Sequence, residues 1–105
     1  MTTCSWPLGN GESLEFTVYG DGTTWNKVSG LYIFTYRTTK GWIPLYVGQA
    51  KDFSARFANH EEWAHAARLG ATHVHARVVP LQATRDLWER MLIRNLQPTL
   101  NNQLR

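Results

Sequence analysis

Two tyrosines, an arginine, a histidine, a glutamate and an asparagine are the residues whose types suit the cleavage of a phosphodiester bond. Tyr32 and Tyr46 sit in the short runs Gly30-Leu31-Tyr32 and Tyr46-Val47-Gly48, and Arg56, His60, Glu89 and Asn101 follow them. A carboxylate holds a hard cation, a guanidinium grips a phosphate, and a phenol or imidazole can take a proton from water. Taken singly, each has a plainer reading. Tyrosines favour strands for packing reasons, and Glu89 stands four residues after Arg85, a helical surface pair worth about 0.2–0.5 kcal/mol. His60 reads as a helix-end residue, Arg56 as a solvated side chain, and Asn101 as a turn former after Pro98.

The elements that must position these groups follow from local pattern. Residues 14–19 alternate apolar and polar, as a short strand does. Residues 31–36 and 42–47 are rich in β-branched and aromatic side chains, and the polar stretch 37–41 between them reads as a hairpin loop. Pro44 has no N–H to donate, so the second strand should lie at an edge or carry a bulge there. Alternation puts Ile43, Leu45 and Val47 on one face and Tyr46 and Gly48 on the other. Tyr32 shares its face with Phe34 and Tyr36, so both phenols should enter one shallow groove that Gly48 keeps clear of bulk.

Asp52 or Ser54 can cap a helix starting near Phe53 that carries Arg56 and His60 one turn apart. A second helical piece over 61–69 ends at Gly70. Residues 72–79 form a strand with Val74, Ala76 and Val78 on one side and His73, His75 and Arg77 on the other. A helix over 83–95 buries Leu87, Trp88, Met91, Leu92 and Leu96, and Pro98 stops it before a short tail.

At 105 residues, 43% apolar and 18% charged, the chain fits one globular domain with its own core, ordered except at the ends. Cys4 is the single cysteine, which excludes an internal disulfide or a cysteine-built zinc site and suits a reducing cytoplasm. No run approaches the roughly 20 apolar residues a membrane helix needs, and the start Met1-Thr2-Thr3-Cys4-Ser5 lacks signal-peptide character. A cytoplasmic protein without membrane contact is the expectation. The net charge of +3 leans toward a polyanionic partner, and eight of the eleven basic residues are arginines, suited to bidentate phosphate contact.

Competing motifs are weaker. The stretch His60-Glu61-Glu62-Trp63-Ala64-His65 has histidines five apart, so they diverge around a helix and do not make a zinc-protease pair. Cys4 has no base placed beside it by sequence. His73 and His75, with Gln49 and Lys51, are candidates for nucleic-acid contact, although a partly exposed strand face explains the histidines equally.

Taken together, the two tripeptides, Arg56 ten residues and His60 fourteen residues after Tyr46, and Asn101 twelve residues after Glu89 resemble the GIY-YIG nuclease family over about 29–102. The resemblance implies an α+β fold: a β-β-α-(α)-β-α core with a central three-stranded antiparallel sheet flanked by helices, here with an N-terminal strand extension over 1–28. It also implies one Mg²⁺ or Mn²⁺ per active site held by Glu89, with Tyr46 as general base and Tyr32 orienting the network. Arg56 would hold the scissile phosphate of DNA, His60 would assist it, and Gly48 and Asn101 would support the site. The products would carry 5′-phosphate and 3′-hydroxyl ends.

Two departures stand out. Tyr46 comes fourteen positions after Tyr32 where the family has ten or eleven, which reads as a hairpin insertion. Gln49 stands where some relatives carry a lysine that acidifies the tyrosine. With no appended DNA-binding domain, specificity is expected from a homodimer or a partner protein. The alternatives are a protein of this fold that binds or scaffolds nucleic acid without cleaving it unaided, and a plain interaction module.

Overall fold

A mixed sheet-and-helix architecture follows from alternating runs that bury one face each, interrupted by capped helices. The computed structural model describes residues 1–20, 22–58 and 61–103. In chain order these form β1 (Thr3–Pro7), β2 (Ser13–Gly20), β3 (Gly30–Thr38), β4 (Gly41–Ala50), α1 (Phe53–Ala58), α2 (Glu61–Arg68), β5 (His73–Val78), α3 (Gln82–Leu96) and α4 (Thr99–Gln103). The strands make one antiparallel sheet in the order β1-β2-β5-β3-β4. The expected three-stranded core is present as β5-β3-β4 with β3 in the middle, and β2 extends it by pairing with β5.

Each face of the sheet carries its own apolar cluster. Tyr32, Phe34, Val74 and Ala76 meet Phe53 of α1, Ala66 of α2 and Leu100 of α4. Leu31, Ile33 and Val47 meet Leu92 of α3 together with Trp6, Leu14 and Phe16 from the N-terminal strands. The sheet is therefore flanked by helices on both sides, and β4 is left as an open edge beside the site.

The β3–β4 hairpin is longer and tighter than the sequence reading. Thr38 pairs directly with Gly41, so the ladder runs through most of the expected loop, and the turn uses a positive φ of 126° at Gly41. The extra residues between the tyrosines thus lengthen the strands.

Pro44 behaves as anticipated, since β4 is an edge strand with an irregularity at that point. The face assignment around it needs correction. Phe34 pairs with Tyr46 and Thr35 with Pro44, which leaves Leu45 as an extra residue in a bulge. Leu45 consequently joins the tyrosine-side cluster, and Ile43 stands opposite Tyr36, so neither shares a face with Val47. Tyr46 keeps its expected face because it lies beyond the bulge.

Helix boundaries follow their caps. The Asp52 carboxylate accepts from the Ser54 and Ala55 backbone N–H groups at 2.9 and 3.3 Å, opening α1, and Gly70 closes α2 at a φ of 102°. Gln97 ends α3 in the left-handed region, ahead of Pro98. Three expectations fail. Leu87 is 46% exposed and lies outside the α3 stripe, whose place is partly taken by a buried Arg85. Arg85 is therefore no surface partner for Glu89. The N-terminal β1 and the C-terminal α4 were both unread: β1 has one buried residue, Trp6, and α4 is a single short turn after a proline.

Candidate active site

Strand register delivers the two phenols to one place. Tyr32 stands opposite Gly48 on β4, and Phe34 opposite Tyr46, so all lie on the face covered by α1 and α2. The Tyr32 and Tyr46 ring centroids are 6.1 Å apart, and Phe34 stacks on Tyr46 at 5.7 Å. Gly48 is required here for steric reasons: a Cβ at that position would come within 2.5 Å of the Tyr32 Cζ and hydroxyl. The Tyr32 ring crosses the strand through the space a side chain would fill.

Arg56, on the last turn of α1, is exposed but points back to the sheet, donating from Nε to the Tyr32 hydroxyl at 3.3 Å. Its charge is held more firmly by that bond, which raises its pKa. Arg56 also lines a groove of about 510 Å³ with Gln49, Lys51 and Gln82. Lys51 stands exposed on that rim. His60 lies outside the described residues.

Glu89 comes from the opposite side of the sheet. It is half-buried on α3, where its Oε1 accepts a hydrogen bond from the Gln49 amide at 3.0 Å. Gln49 pairs with Leu31, placing its side chain on the α3 face. Because β4 is the sheet edge, the Glu89 charge still reaches the Tyr46 phenol and contributes to its electrostatic environment.

Both phenols are held in their neutral form. Burial pushes the Tyr32 phenol well above its ordinary pKa, with the Arg56 bond opposing the rise. Burial also raises Tyr46, and the Glu62 and Glu89 charges add to that rise while Arg56 and the Tyr32 hydroxyl oppose it. A phenolate at Tyr46 is thus disfavoured by burial first and by the carboxylates around it second.

Glu62 was missed by the sequence reading. It lies in the first turn of α2, half-buried, and its charge acts on Tyr32, Tyr46 and Arg56 alike. The available signal was its nearness in sequence to the Arg56 helix, hidden inside a stretch weighed only for zinc.

Asn101 supports the site through the backbone. Its Oδ1 accepts from Val47 N–H at 2.8 Å and its Nδ2 donates to Val47 C=O at 2.9 Å. The side chain acts as one more ladder partner on the open edge of β4, between Tyr46 and Gly48.

His73 and His75 do not join this group. Both lie on the α3 face of β5, opposite the phenols, as the pairing of His75 with Ile33 and His73 with Thr35 requires. The expected nucleic-acid contact by His75 is corrected outright, because His75 is fully buried. Its Nδ1 accepts from the Trp6 indole at 2.9 Å, and its ring stands nearly perpendicular to the Trp42 ring with centroids 4.6 Å apart. Burial pushes its pKa down to about 4. His73 is half-buried against Trp42 and bonded to Thr72.

Among the described residues no group of three or more His, Cys, Asp or Glu side chains converges on one point. A lone carboxylate nonetheless suits Mg²⁺ or Mn²⁺, since magnesium keeps several waters and commonly takes one or two carboxylates plus substrate phosphate. Glu89 Oε1 is bonded to Gln49, while Oε2 has no hydrogen-bond partner among the described residues. The donor set therefore fits such a cation.

No protein-family model and no curated protein sequence matches the chain. Solved structures do. An asparagine-to-alanine variant of the GIY-YIG N-terminal endonuclease domain of UvrC from Thermotoga maritima, bound to its catalytic divalent cation, superposes with a TM-score of 0.58 at 24% identity, covering 71% of this chain and 83% of that one. A tyrosine-to-phenylalanine variant of the same domain, also cation-bound, gives 0.57 at 26% identity with the same coverage. The chain has the fold of a GIY-YIG endonuclease domain.

Proposed function

We propose that the chain is a divalent-metal-dependent endonuclease that hydrolyses DNA phosphodiester bonds. The observation that carries this reading is the Tyr32–Arg56 hydrogen bond beside Tyr46, with the Glu89 charge acting on the Tyr46 phenol, on a fold shared with a cation-bound endonuclease domain. Glu89 would hold one Mg²⁺ or Mn²⁺. When bound, such a cation acidifies its water and offsets charge on the phosphate. Arg56 would grip the scissile phosphate, and Tyr46 as its phenolate would take the proton of the attacking water as the bond to the 3′-oxygen breaks and that oxygen takes a proton from solvent, leaving 5′-phosphate and 3′-hydroxyl ends. Tyr32 would orient both through its bond to Arg56 and its neighbourhood to Tyr46. His60 would act as a second base or phosphate contact.

The raised Tyr46 phenol is consistent with this role only with the cation in place. Glu89, one of the charges that disfavour phenolate, is also the group a cation would neutralise. We further propose that the nuclease core spans about 29–102 as one domain with 1–28 as its extension. Lys51 would contact DNA beside Arg56, and a second copy or a partner protein would supply specificity in a cytoplasmic setting.

A protein of this fold that binds nucleic acid without cleaving it unaided is the second reading. The neutral phenols favour it. Plasmid nicking with Mg²⁺, Mn²⁺ or EDTA separates the two, comparing the wild type with Glu89→Ala and Arg56→Ala. Metal-dependent cutting lost in the Glu89 variant and reduced about 10²–10⁴-fold in the Arg56 variant supports the enzyme. Salt-sensitive binding without cutting supports the second reading.

A further inference from the structure

Gln49 spends its whole hydrogen-bonding capacity on α3. Its Nε2 donates to Asp86 Oδ1 at 2.9 Å and to Glu89 Oε1 at 3.0 Å, while its Oε1 accepts from Gln82 Nε2 at 3.0 Å and Arg85 Nε at 3.3 Å. Two donors and two lone pairs are all that a primary amide offers. Arg85 stands behind it, only 4% exposed. Its other bonds run from Nη1 to the Val79 and Pro80 carbonyl oxygens at 2.9 and 2.8 Å, and from Nη2 to Gln82 Oε1 at 2.8 Å.

Every hydrogen-bond partner of this buried guanidinium among the described residues is therefore a neutral oxygen. A buried cation held that way is costly unless negative charge lies close by, and here two carboxylates take up the far end of the Gln49 amide. An amide whose oxygen accepts from a guanidinium is polarised, so its N–H groups donate more strongly. The Arg85 charge thus reaches Glu89 through Gln49.

We propose that Gln49, anchored by Arg85, is a positioning residue that fixes Glu89 Oε1 and thereby keeps Oε2 available to a divalent cation. This rests on Glu89 being the cation ligand, as proposed above. Gln49 touches neither the cation nor the phosphate in this role. A carboxylate free to rotate would have to be ordered at the moment of binding, and outer hydrogen bonds of this kind are worth about 10–100-fold in metal affinity.

The test is Mn²⁺ binding to the full chain, followed by the electron paramagnetic resonance of free Mn²⁺, with circular dichroism melts as a check on folding. Gln49→Leu keeps the volume and removes all four bonds, and its Mn²⁺ dissociation constant should rise about 10–100-fold. Gln82→Ala, at an exposed position, removes one prop from Gln49 and one from Arg85 and should shift affinity the same way by less; it decides the matter if Gln49→Leu does not fold. In a Glu89→Gln background, Gln49→Leu should add nothing. Cleavage by Gln49→Leu should need more Mn²⁺ for half-maximal rate yet recover to within a few fold at saturation, which a general structural defect would not allow.

Unchanged affinity in both glutamine variants, with affinity lost in Glu89→Gln, overturns this inference alone. Independent losses in the double variant overturn it as well. A wild type that binds no Mn²⁺, or a Glu89→Gln variant that binds it equally well, overturns the ligand role of Glu89 and this inference with it.

Discussion

At the scale of single residues, Gly48 and Tyr46 each carry a constraint that can be tested. Gly48 is tied to Tyr32 by the ring that lies across it, so a single added methyl must displace a fully buried aromatic. Gly48→Ala should destabilise the fold by about 1–3 kcal/mol in urea titrations, because overpacking strains rotamers and backbone. It should also lower cleavage by more than the stability loss explains. For Tyr46 the direction of the pKa shift sets the pH dependence. A base whose conjugate acid is raised above its ordinary value is protonated throughout the neutral range, so its active fraction grows with pH. The cleavage rate should therefore rise with pH between roughly pH 6 and 8. A flat profile would remove Tyr46 from the role of base.

At the scale of elements, the open edge of β4 would let the proposed site draw on both faces of the sheet. Tyr32 and Tyr46 come from the α1–α2 side and Glu89 from the α3 side, and across the edge strand the Glu89 charge acts on the Tyr46 phenol. Such an edge needs protection, and Asn101 provides it at Val47 with two bonds. Asn101→Ala should cost about 1–3 kcal/mol, and exchange of the Val47 amide with solvent should accelerate well beyond that of amides in β3. Equal acceleration in both strands would mean that Asn101 acts on global stability alone.

Much at this scale was legible beforehand. The phenols on one face, the Asp52 cap, the Gly70 stop and the edge at Pro44 each follow from residues adjacent in sequence. What escaped depends on partners far along the chain. Leu45 and Ile43 were assigned by simple alternation, which a bulge breaks, and the bulge is defined only by its pairing with β3. Arg85 was read by helical spacing as a surface partner of Glu89, yet Gln49 of β4 and the carbonyls of Val79 and Pro80 claim it. His75 followed strand alternation correctly, but nothing local announced that Trp6, sixty-nine residues earlier, would cover it.

At the scale of the whole molecule, that last contact makes the N-terminal strands part of the core. Trp6 on β1 reaches across the sheet face to His75 on β5, while Trp42 of β4 closes the other side. His75 has a folded pKa of about 4, below the ordinary value near 6.5, so the unfolded chain binds more protons between those limits. Stability from this group is complete above about pH 6.5, is lost as pH falls toward 4 and changes no further below that, amounting to roughly 3 kcal/mol. Denaturant midpoints of the wild type should fall across that window, and His75→Phe should flatten the dependence. A wild type insensitive to pH there would contradict the buried neutral imidazole.

The central claim concerns one location, the space between the Glu89 carboxylate and the Tyr46 phenol at the β4 edge. An anomalous-difference map from crystals soaked in Mn²⁺ tests it directly. The account predicts one peak bonded to a Glu89 oxygen, with a bound water within hydrogen-bonding distance of the Tyr46 hydroxyl. Mn²⁺ bound only at other residues, or a Glu89 side chain left without metal at saturating concentration, would contradict it.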